Sequence, residues 1–231
     1  MVAIVASYIV TPNQPTPNDS LWLSDNDQLG VLGHVATIHI YKAKPNSDTI
    51  ETLRNSLSKL LVFYYPVAGR LSLTESGRME VDCNAKGVTL IEAETTKTFG
   101  DYGDFSPSES TNDLIPKVDH TQPTEEIPLL LLQLTRFHGG EGLSIGILIS
   151  HSLTDATGLI HFMNTWAKLT RGEEINPDEM PFLDRTLLKL LPNQASAPSV
   201  KLPELKPAPQ TPGKEQTKRS AALLKLTSSQ R

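Results

Sequence analysis

Residues 145–158 read I-G-I-L-I-S-H-S-L-T-D-A-T-G, an apolar and β-branched run that ends at Ser150. His151 follows the run at once, and Asp155 comes four residues later. Because a strand end is rigid and accessible from a loop, an imidazole there is well placed to act as a general base. The i, i+4 spacing puts His151 and Asp155 on one side of a helical turn, but Asp155 equally suits an N-cap. The spacing alone leaves a catalytic histidine and a structural histidine both open.

The residues on either side of this stretch predict a hairpin and a helix. Residues 129–137 and 143–150 form two strands, joined by a glycine-rich turn at 138–142. Their long apolar runs predict a sheet that is covered on both faces. The helix is indicated by apolar residues at helical spacing, which are Leu159, Phe162, Met163, Trp166 and Leu169. Met163 and Trp166 are therefore expected in the core, and Gly172 is expected to end the helix.

The first half of the chain alternates between strand-like and helix-like patterns. The strands are predicted at 2–10, 35–41 and 88–93, with a hairpin over 71–83 that turns at 75–77. An apolar stripe predicts a helix over 47–61. Polar, Gly- and Ser-rich residues 99–113 are expected to form a surface loop, and residues 183–191 a short closing helix.

The composition indicates the number of domains, a linker and the cellular compartment. The 231 residues are 38% hydrophobic, which allows one or two domains with a real core. The formal net charge is −5, yet residues 192–231 hold seven basic and two acidic residues among six prolines, which indicates a linker. Cys83, the single cysteine, excludes an internal disulfide framework and fits a reducing compartment. We therefore expect a cytoplasmic protein that binds neither nucleic acid nor membrane.

Four motifs together resemble the plant BAHD acyltransferases. They are T-P followed by P-T-P within 11–17, L-W-L-S at 21–24, Y-P-V-A-G-R-L at 65–71, and H-S-L-T-D at 151–155. The combination of the third motif with a downstream His-x-x-x-Asp is specific, and it favours the catalytic interpretation of His151. Within the family the chain most resembles hydroxycinnamoyl transferases, first those that acylate spermidine and next those that acylate shikimate.

The resemblance implies an α/β fold with a chloramphenicol-acetyltransferase-like mixed sheet and flanking helices, the N-terminal domain of a two-domain acyltransferase. It assigns residues 1–191 to that domain, 192–220 to a crossover loop, and 221–231 to the start of a truncated C-terminal domain. A channel between the two domains would admit the acyl-CoA from one side and the acceptor from the other. The whole protein is expected to be a monomer.

The resemblance also implies roles for individual residues. His151 is the general base, and Asp155 points away from the substrate and orients the loop through an arginine. His34, Thr37 and His39 border the channel and would bind substrate. Acyl-CoA is a co-substrate, and no cofactor is bound permanently. The expected reaction moves a hydroxycinnamoyl group to an amine or hydroxyl, with spermidine favoured over shikimate, quinate or another alcohol.

Three departures from the family pattern keep alternatives open. Ala156 stands where the family has glycine, the D-F-G-W-G motif is absent, and family members are roughly twice as long, about two domains. A truncated, non-catalytic fragment or binding protein of the same family therefore remains an alternative, as does a thioester-binding module. The sequence leaves open the acyl group, the acceptor, and the choice between O- and N-acylation.

Arg70 and Cys83 are expected to have no catalytic role. Arg70 would tie down the turn that precedes it, and Cys83 would be an inert strand residue. His120, His138 and His161 show no metal-binding spacing with each other or with carboxylates, so the sequence predicts no metal site.

Overall fold

The computed structural model describes residues 1–29, 33–42 and 45–189. Its strands and helices, in chain order, are β1 (Val2–Val10), β2 (Ser20–Trp22), α1 (Asp25–Leu29), β3 (His34–Tyr41), α2 (Thr49–Phe63), β4 (Arg70–Leu73), β5 (Met79–Asp82), β6 (Val88–Thr95), α3 (Glu109–Asn112), β7 (Leu130–Arg136), β8 (Leu143–Ser150) and α4 (Ala156–Thr170). Short 3₁₀ turns connect several of them. None of the helices in the described ranges is long and apolar enough to cross a membrane.

Five strands form the main sheet, in the order β1-β6-β7-β8-β3. The β6–β7 pair is parallel and the other pairs are antiparallel, so the sheet is mixed as expected. Strands β7 and β8 lie in the centre and are buried along almost their whole length. In the register of β3 with β8, His34 is opposite Ser150, so the edge strand begins beside His151. A second sheet has the order β2-β5-β4.

One face of the main sheet packs against helices α2 and α4. Ile145, Ile147 and Ile149 of β8 alternate towards these helices and share a core with them. Trp166 is 2% exposed, and its indole Nε1 donates to Ser56 Oγ of α2 at 2.9 Å. This hydrogen bond satisfies the polar atom of a fully packed side chain and joins the two helices. The prediction that Met163 and Trp166 are core residues is confirmed.

The other face of the sheet is covered by the segment that the sequence predicted as a surface loop. Residues 99–113 contain a 3₁₀ turn and α3, and Tyr102 lies in a cluster with Leu114 and Phe137. A Cβ atom on Gly146 would come 2.0 Å from the carbonyl oxygen of Leu114, so the chain immediately after the segment touches the sheet backbone. Most residues of the segment are exposed, as expected of a surface loop, but it contains short helical turns and buries Tyr102 against Phe137. The prediction that both faces are covered is confirmed.

The motif at 65–71 forms a 3₁₀ turn that leads into β4. Arg70 is buried, and its Nη1 atom donates to the carbonyls of Gly69 at 2.7 Å and of Gly87 at 2.8 Å. The guanidinium therefore fixes the turn, as expected. Cys83 is 2% exposed, and burial raises the pKa of its thiol to about 11, which agrees with an inert residue.

The end of the described chain differs from the prediction. A short helix was expected over 183–191, but only Thr186–Leu188 forms a single 3₁₀ turn. The backbone N–H and hydroxyl of Thr186 both donate to Asp184 Oδ1, at 2.9 and 2.6 Å, so a side-chain turn takes the place of the helix. Residues 190–191 and the expected segments 192–220 and 221–231 lie outside the described residues.

Candidate active site

His151 stands at the first position after the central strand β8. Its backbone N–H donates to the carbonyl of Gly33 at 2.9 Å, and the preceding N–H, that of Ser150, donates to Leu129 at 2.8 Å. The two neighbouring strands therefore fix the backbone on both sides of β8. The His151 side chain itself is exposed, and no hydrogen bond joins its imidazole to another of the described side chains. A rigid backbone with a free imidazole suits a group that must meet a substrate.

The turn after His151 is held by an arginine that the sequence did not single out. Arg185 donates from Nη1 to the carbonyl of Ser152 at 3.0 Å, and from Nη2 to the carbonyl of Leu153. The same guanidinium pairs with Asp27 of α1 at 2.7 Å, with both side chains mostly buried. Asp27 also accepts from the N–H and hydroxyl of Ser24, each at 2.8 Å. No local pattern could reveal this clamp, because its partners lie far apart in the chain.

Asp155 is the N-cap of α4. Its carboxylate accepts from the N–H of Gly158 at 2.8 Å, and no hydrogen bond links it to His151 within the described part of the chain. Of the two roles that the spacing left open for Asp155, the geometry shows the N-cap. Among the described residues no arginine pairs with Asp155; the arginine beside this turn, Arg185, binds backbone carbonyls instead. Ala156 is the first helical residue, and its φ is not positive, so the methyl group is accommodated without strain.

A cavity of about 570 Å³ opens beside His151. One wall is formed by Thr154 of the turn after His151 and by Thr157, Gly158 and His161 of α4. Other walls come from the 65–71 motif and from residues 180–188. The lining combines apolar side chains with several polar and charged ones, which could orient a small molecule. The remaining lining residues are Leu21, Asn26, Asp27, Tyr64, Pro66, Val67, Ile149, Leu153, Asp155, Phe162, Met180, Pro181, Phe182, Leu183, Arg185 and Leu188.

Tyr64 and His161, which line this cavity, form a hydrogen-bonded group with Thr165 of α4. The hydroxyl of Tyr64 is 2.6 Å from Nδ1 of His161 and 3.1 Å from Oγ1 of Thr165. The Thr165 hydroxyl donates to the backbone carbonyl of His161 at 2.8 Å. Burial raises the pKa of Tyr64, and the hydrogen bond with Thr165 partly offsets that effect, so the phenol stays neutral near pH 7. No local sequence pattern indicates this contact between Tyr64 and His161, because the two residues are 97 positions apart.

The three expected channel residues of β3 divide between the two faces of the sheet. Thr37 and His39 pair with Ile147 and Ile145, on the face where Ile149 lines the His151 cavity. His34 is on the other face, where its Nε2 donates to the carbonyl of Pro128 at 3.0 Å and its ring meets that of His120. None of the three is among the described residues that line the His151 cavity.

Burial gives both histidines of β3 a common electrostatic property. Desolvation lowers the pKa of His39, and it also lowers the pKa of His34, although the hydrogen bond to Pro128 partly opposes the latter shift. Both imidazoles are therefore favoured in their neutral form. No group of three or more His, Cys, Asp or Glu side chains in the described ranges is arranged to hold a metal ion.

Comparison with known proteins places this chain in a family. The family model described as the transferase family matches residues 1–230. A hydroxycinnamoyl-CoA:piscidic acid hydroxycinnamoyltransferase from Actaea racemosa is 44% identical over 80% of this chain and 42% of its own length. Shikimate O-hydroxycinnamoyltransferase from Nicotiana tabacum is 38% identical over 99% of this chain and 54% of its own length. The chain belongs to this transferase family, the BAHD family that its motifs resemble.

Solved structures agree on the fold. Vinorine synthase is 27% identical and superposes with a TM-score of 0.68, over 80% of this chain and 46% of that protein. F. graminearum TRI101 complexed with ethyl coenzyme A is 17% identical, with a TM-score of 0.57 over 76% of this chain and 45% of that protein, which is a likeness of fold alone. The chain spans about half the length of the curated relatives it matches.

Proposed function

We propose that the protein is an acyl-CoA-dependent acyltransferase that moves a hydroxycinnamoyl group from a CoA thioester to a hydroxyl or amine acceptor. The observation that carries the proposal is the imidazole of His151, which is exposed beside a cavity of about 570 Å³ and has no hydrogen-bond partner among the described residues. Such an imidazole can approach a bound substrate without first breaking a hydrogen bond. Membership of the transferase family supports the same chemistry.

In this mechanism His151 removes the proton from the attacking oxygen or nitrogen of the acceptor. The freed electron pair forms a bond with the thioester carbonyl carbon, and the carbonyl oxygen takes up negative charge. The tetrahedral intermediate then collapses, the carbon–sulfur bond breaks, and His151 returns its proton to the departing thiolate. No covalent acyl-enzyme is required, because a thioester is already activated. An imidazole can both accept and return a proton, so a single histidine can serve both proton transfers.

The other residues of the site hold His151 in place or border the substrates. Arg185 fixes the carbonyls of Ser152 and Leu153, and Asp155 caps α4, so both act on the turn and not on the substrate. Thr37 and His39 lie on the cavity's face of the sheet and would border the acceptor. His34 lies on the other face and would contact a substrate only if the channel passes around the edge strand β3. We propose acyl-CoA as the donor, a monomeric whole protein and a cytoplasmic location.

Spermidine, proposed first from the motifs, must compete with alcohols such as shikimate. A polyamine is mostly protonated in water, so its transfer would require deprotonation or desolvation before His151 could act. The relatives named above act on piscidic acid and shikimate by their names, which favours hydroxyl acceptors. We therefore propose that an alcohol acceptor is used at least as well as spermidine.

The test is thiol release from p-coumaroyl-CoA by the complete protein that carries this sequence, with spermidine, shikimate, quinate and piscidic acid as separate acceptors. The proposal expects acceptor-dependent thiol release with one of these compounds, and a matching acylated product by mass spectrometry. Hydrolysis of the thioester without an acylated product, or CoA-ester binding without thiol release, would contradict it. The second outcome would favour the thioester-binding alternative.

A further inference from the structure

The three hydrogen bonds among Tyr64, His161 and Thr165 determine which ring nitrogen of His161 carries a proton. The Thr165 hydroxyl lies 2.8 Å from the backbone carbonyl of His161, which can only accept, so the Thr165 proton is used there. The Tyr64 hydroxyl lies 3.1 Å from Thr165 Oγ1, and that contact is a hydrogen bond only if Tyr64 donates. The single proton of Tyr64 is then used as well.

The remaining contact, of 2.6 Å, joins the Tyr64 oxygen to Nδ1 of His161. Because the Tyr64 proton points to Thr165, this contact needs the proton on Nδ1. The alternative arrangement has Tyr64 donate to a bare Nδ1, and it leaves the Thr165 and Tyr64 oxygens in contact without a proton between them. Of the two neutral tautomers, only the Nδ1–H form satisfies all three contacts, and Tyr64 and Thr165 are both buried, where an unsatisfied contact is costly.

This tautomer leaves Nε2 of His161 with a free lone pair. Nδ1 faces the buried Tyr64, and the ring lines the cavity beside His151. We infer that His161 presents Nε2 as a hydrogen-bond acceptor inside the cavity, where it binds an O–H or N–H group of the acyl acceptor and so helps to select that substrate. The assignment of the bound group to the acceptor rests on the proposed function, whereas the tautomer does not.

The chemistry of the lone pair favours the acceptor over the acyl-CoA. A bare imidazole nitrogen repels phosphate and thioester carbonyl oxygens, which are themselves acceptors, and it attracts hydroxyl and amine protons. A site that hydrogen-bonds a substrate group discriminates strongly against analogues that lack the group, because its own polar atom is then left unpaired. Tyr64 and Thr165 act only through His161, so they are positioning residues.

The tautomer can be measured directly by ¹⁵N NMR of the full chain labelled at histidine, at pH 8, with His161→Asn used to assign the signal. We expect an unprotonated Nε2 and a protonated Nδ1. We also expect Thr165→Val to free the Tyr64 proton for Nδ1 and to move the His161 proton to Nε2. A protonated Nε2 together with an unprotonated Nδ1 in the unaltered chain overturns the inference, and the only variant this result requires is the folded His161→Asn chain that assigns the signal.

Substrate binding is tested with two matched variants in the complete enzyme. Gln places a polar atom near the Nε2 position and Asn places one near Nδ1, so His161→Gln retains the contact with substrate and His161→Asn retains the contact with Tyr64. We expect His161→Asn to raise the KM for the acceptor about tenfold, the value of one hydrogen bond, and His161→Gln to raise it less. A purely structural role predicts the reverse order.

Two results separate this inference from the proposed function. A rise in KM confined to the acyl-CoA would overturn the assignment to the acceptor, even if the tautomer is as expected. Absence of thiol release from the unaltered enzyme with every acceptor would contradict the proposed function, and the NMR measurement would still decide the tautomer. Melting temperatures of the variants, compared with that of the unaltered chain, show whether each one is folded.

Discussion

Replacement of Arg185 by methionine tests the clamp that holds the His151 turn. The change removes the guanidinium from the carbonyls of Ser152 and Leu153 and from Asp27, while the flexible apolar stem is largely retained. Hydrogen bonds to charged groups contribute about 1.5–3 kcal/mol each, and removal of one partner from a buried ion pair costs about 3–5 kcal/mol. The side chains of Arg185 and Asp27 are 21% and 17% exposed, so solvent weakens the effect.

From these values we expect the variant to lose about 2–4 kcal/mol of unfolding free energy. For a chain of this length the melting temperature should fall by about 5–15 °C. Calorimetry or denaturant unfolding measures the change. The control is Arg171→Met, which removes an ion pair with Glu173 whose two side chains are 60% and 47% exposed, and which should leave the melting temperature unchanged within error.

A double-mutant cycle that combines Arg185→Met with Asp27→Asn measures the interaction energy between the two side chains. We expect a coupling energy of about 1–2 kcal/mol between Arg185 and Asp27. In the complete enzyme Arg185→Met should also lower kcat about 10–100-fold, because displacement of the turn moves His151 out of position. A melting temperature equal to that of the unaltered chain would refute the clamp, because no compensating contact to the two carbonyls is available from the methionine side chain.

Further predictions concern packing, capping and titration. Gly146→Ala should lower the unfolding free energy by about 1–3 kcal/mol or more in denaturant unfolding, since its Cβ would lie 2.0 Å from the Leu114 carbonyl oxygen. Gly100→Ala is the control and should lower it little, because the nearest described atom would lie 3.9 Å from the new Cβ. Asp155→Ala should lose about 1 kcal/mol of stability through the missing N-cap bond, and Asp155→Asn should lose less; equal losses would contradict the capping role. Because burial lowers the pKa of His34 and His39 below the unfolded value of 6.5, stability should fall as the pH drops through about 6.5, and the double variant His34→Asn/His39→Asn should flatten that slope. Since the thiol pKa of Cys83 is raised to about 11, iodoacetamide should label it at pH 8 only after denaturation; rapid labelling of the folded chain would contradict its burial.

The elements that sequence predicted well are those whose signal is local and periodic. Alternation and helical spacing predict β8 and α4 within a residue or two, and the Gly77 turn appears between β4 and β5 as expected. The same patterns place Trp166 in the core. The register between strands, in contrast, depends on both partner strands. The pairing of His34 with Ser150 could therefore not be predicted from the pattern of either strand alone.

The site was only partly predictable, for a related reason. His151 and Asp155 are visible because they lie next to a strong strand and open a strong helix. The ion pair of Arg185 with Asp27 and the hydrogen bond of Tyr64 with His161 each join residues that are far apart in the sequence. No local pattern of residues could therefore predict either contact. The burial of Tyr102 within the mostly exposed 99–113 segment was not predicted, because the average composition of a polar segment conceals a single buried side chain.

The central claim, that His151 is the general base, is tested most directly by kcat for hydroxycinnamoyl transfer in the complete enzyme with His151→Ala. His138→Ala is the matched control, because His138 is exposed in the β7–β8 turn and lines no part of the His151 cavity among the described residues. The account predicts that His151→Ala lowers kcat by about 10²–10⁴-fold or more with an unchanged melting temperature, and that His138→Ala retains full turnover. Retention of most of the activity by a folded His151→Ala variant would contradict the account.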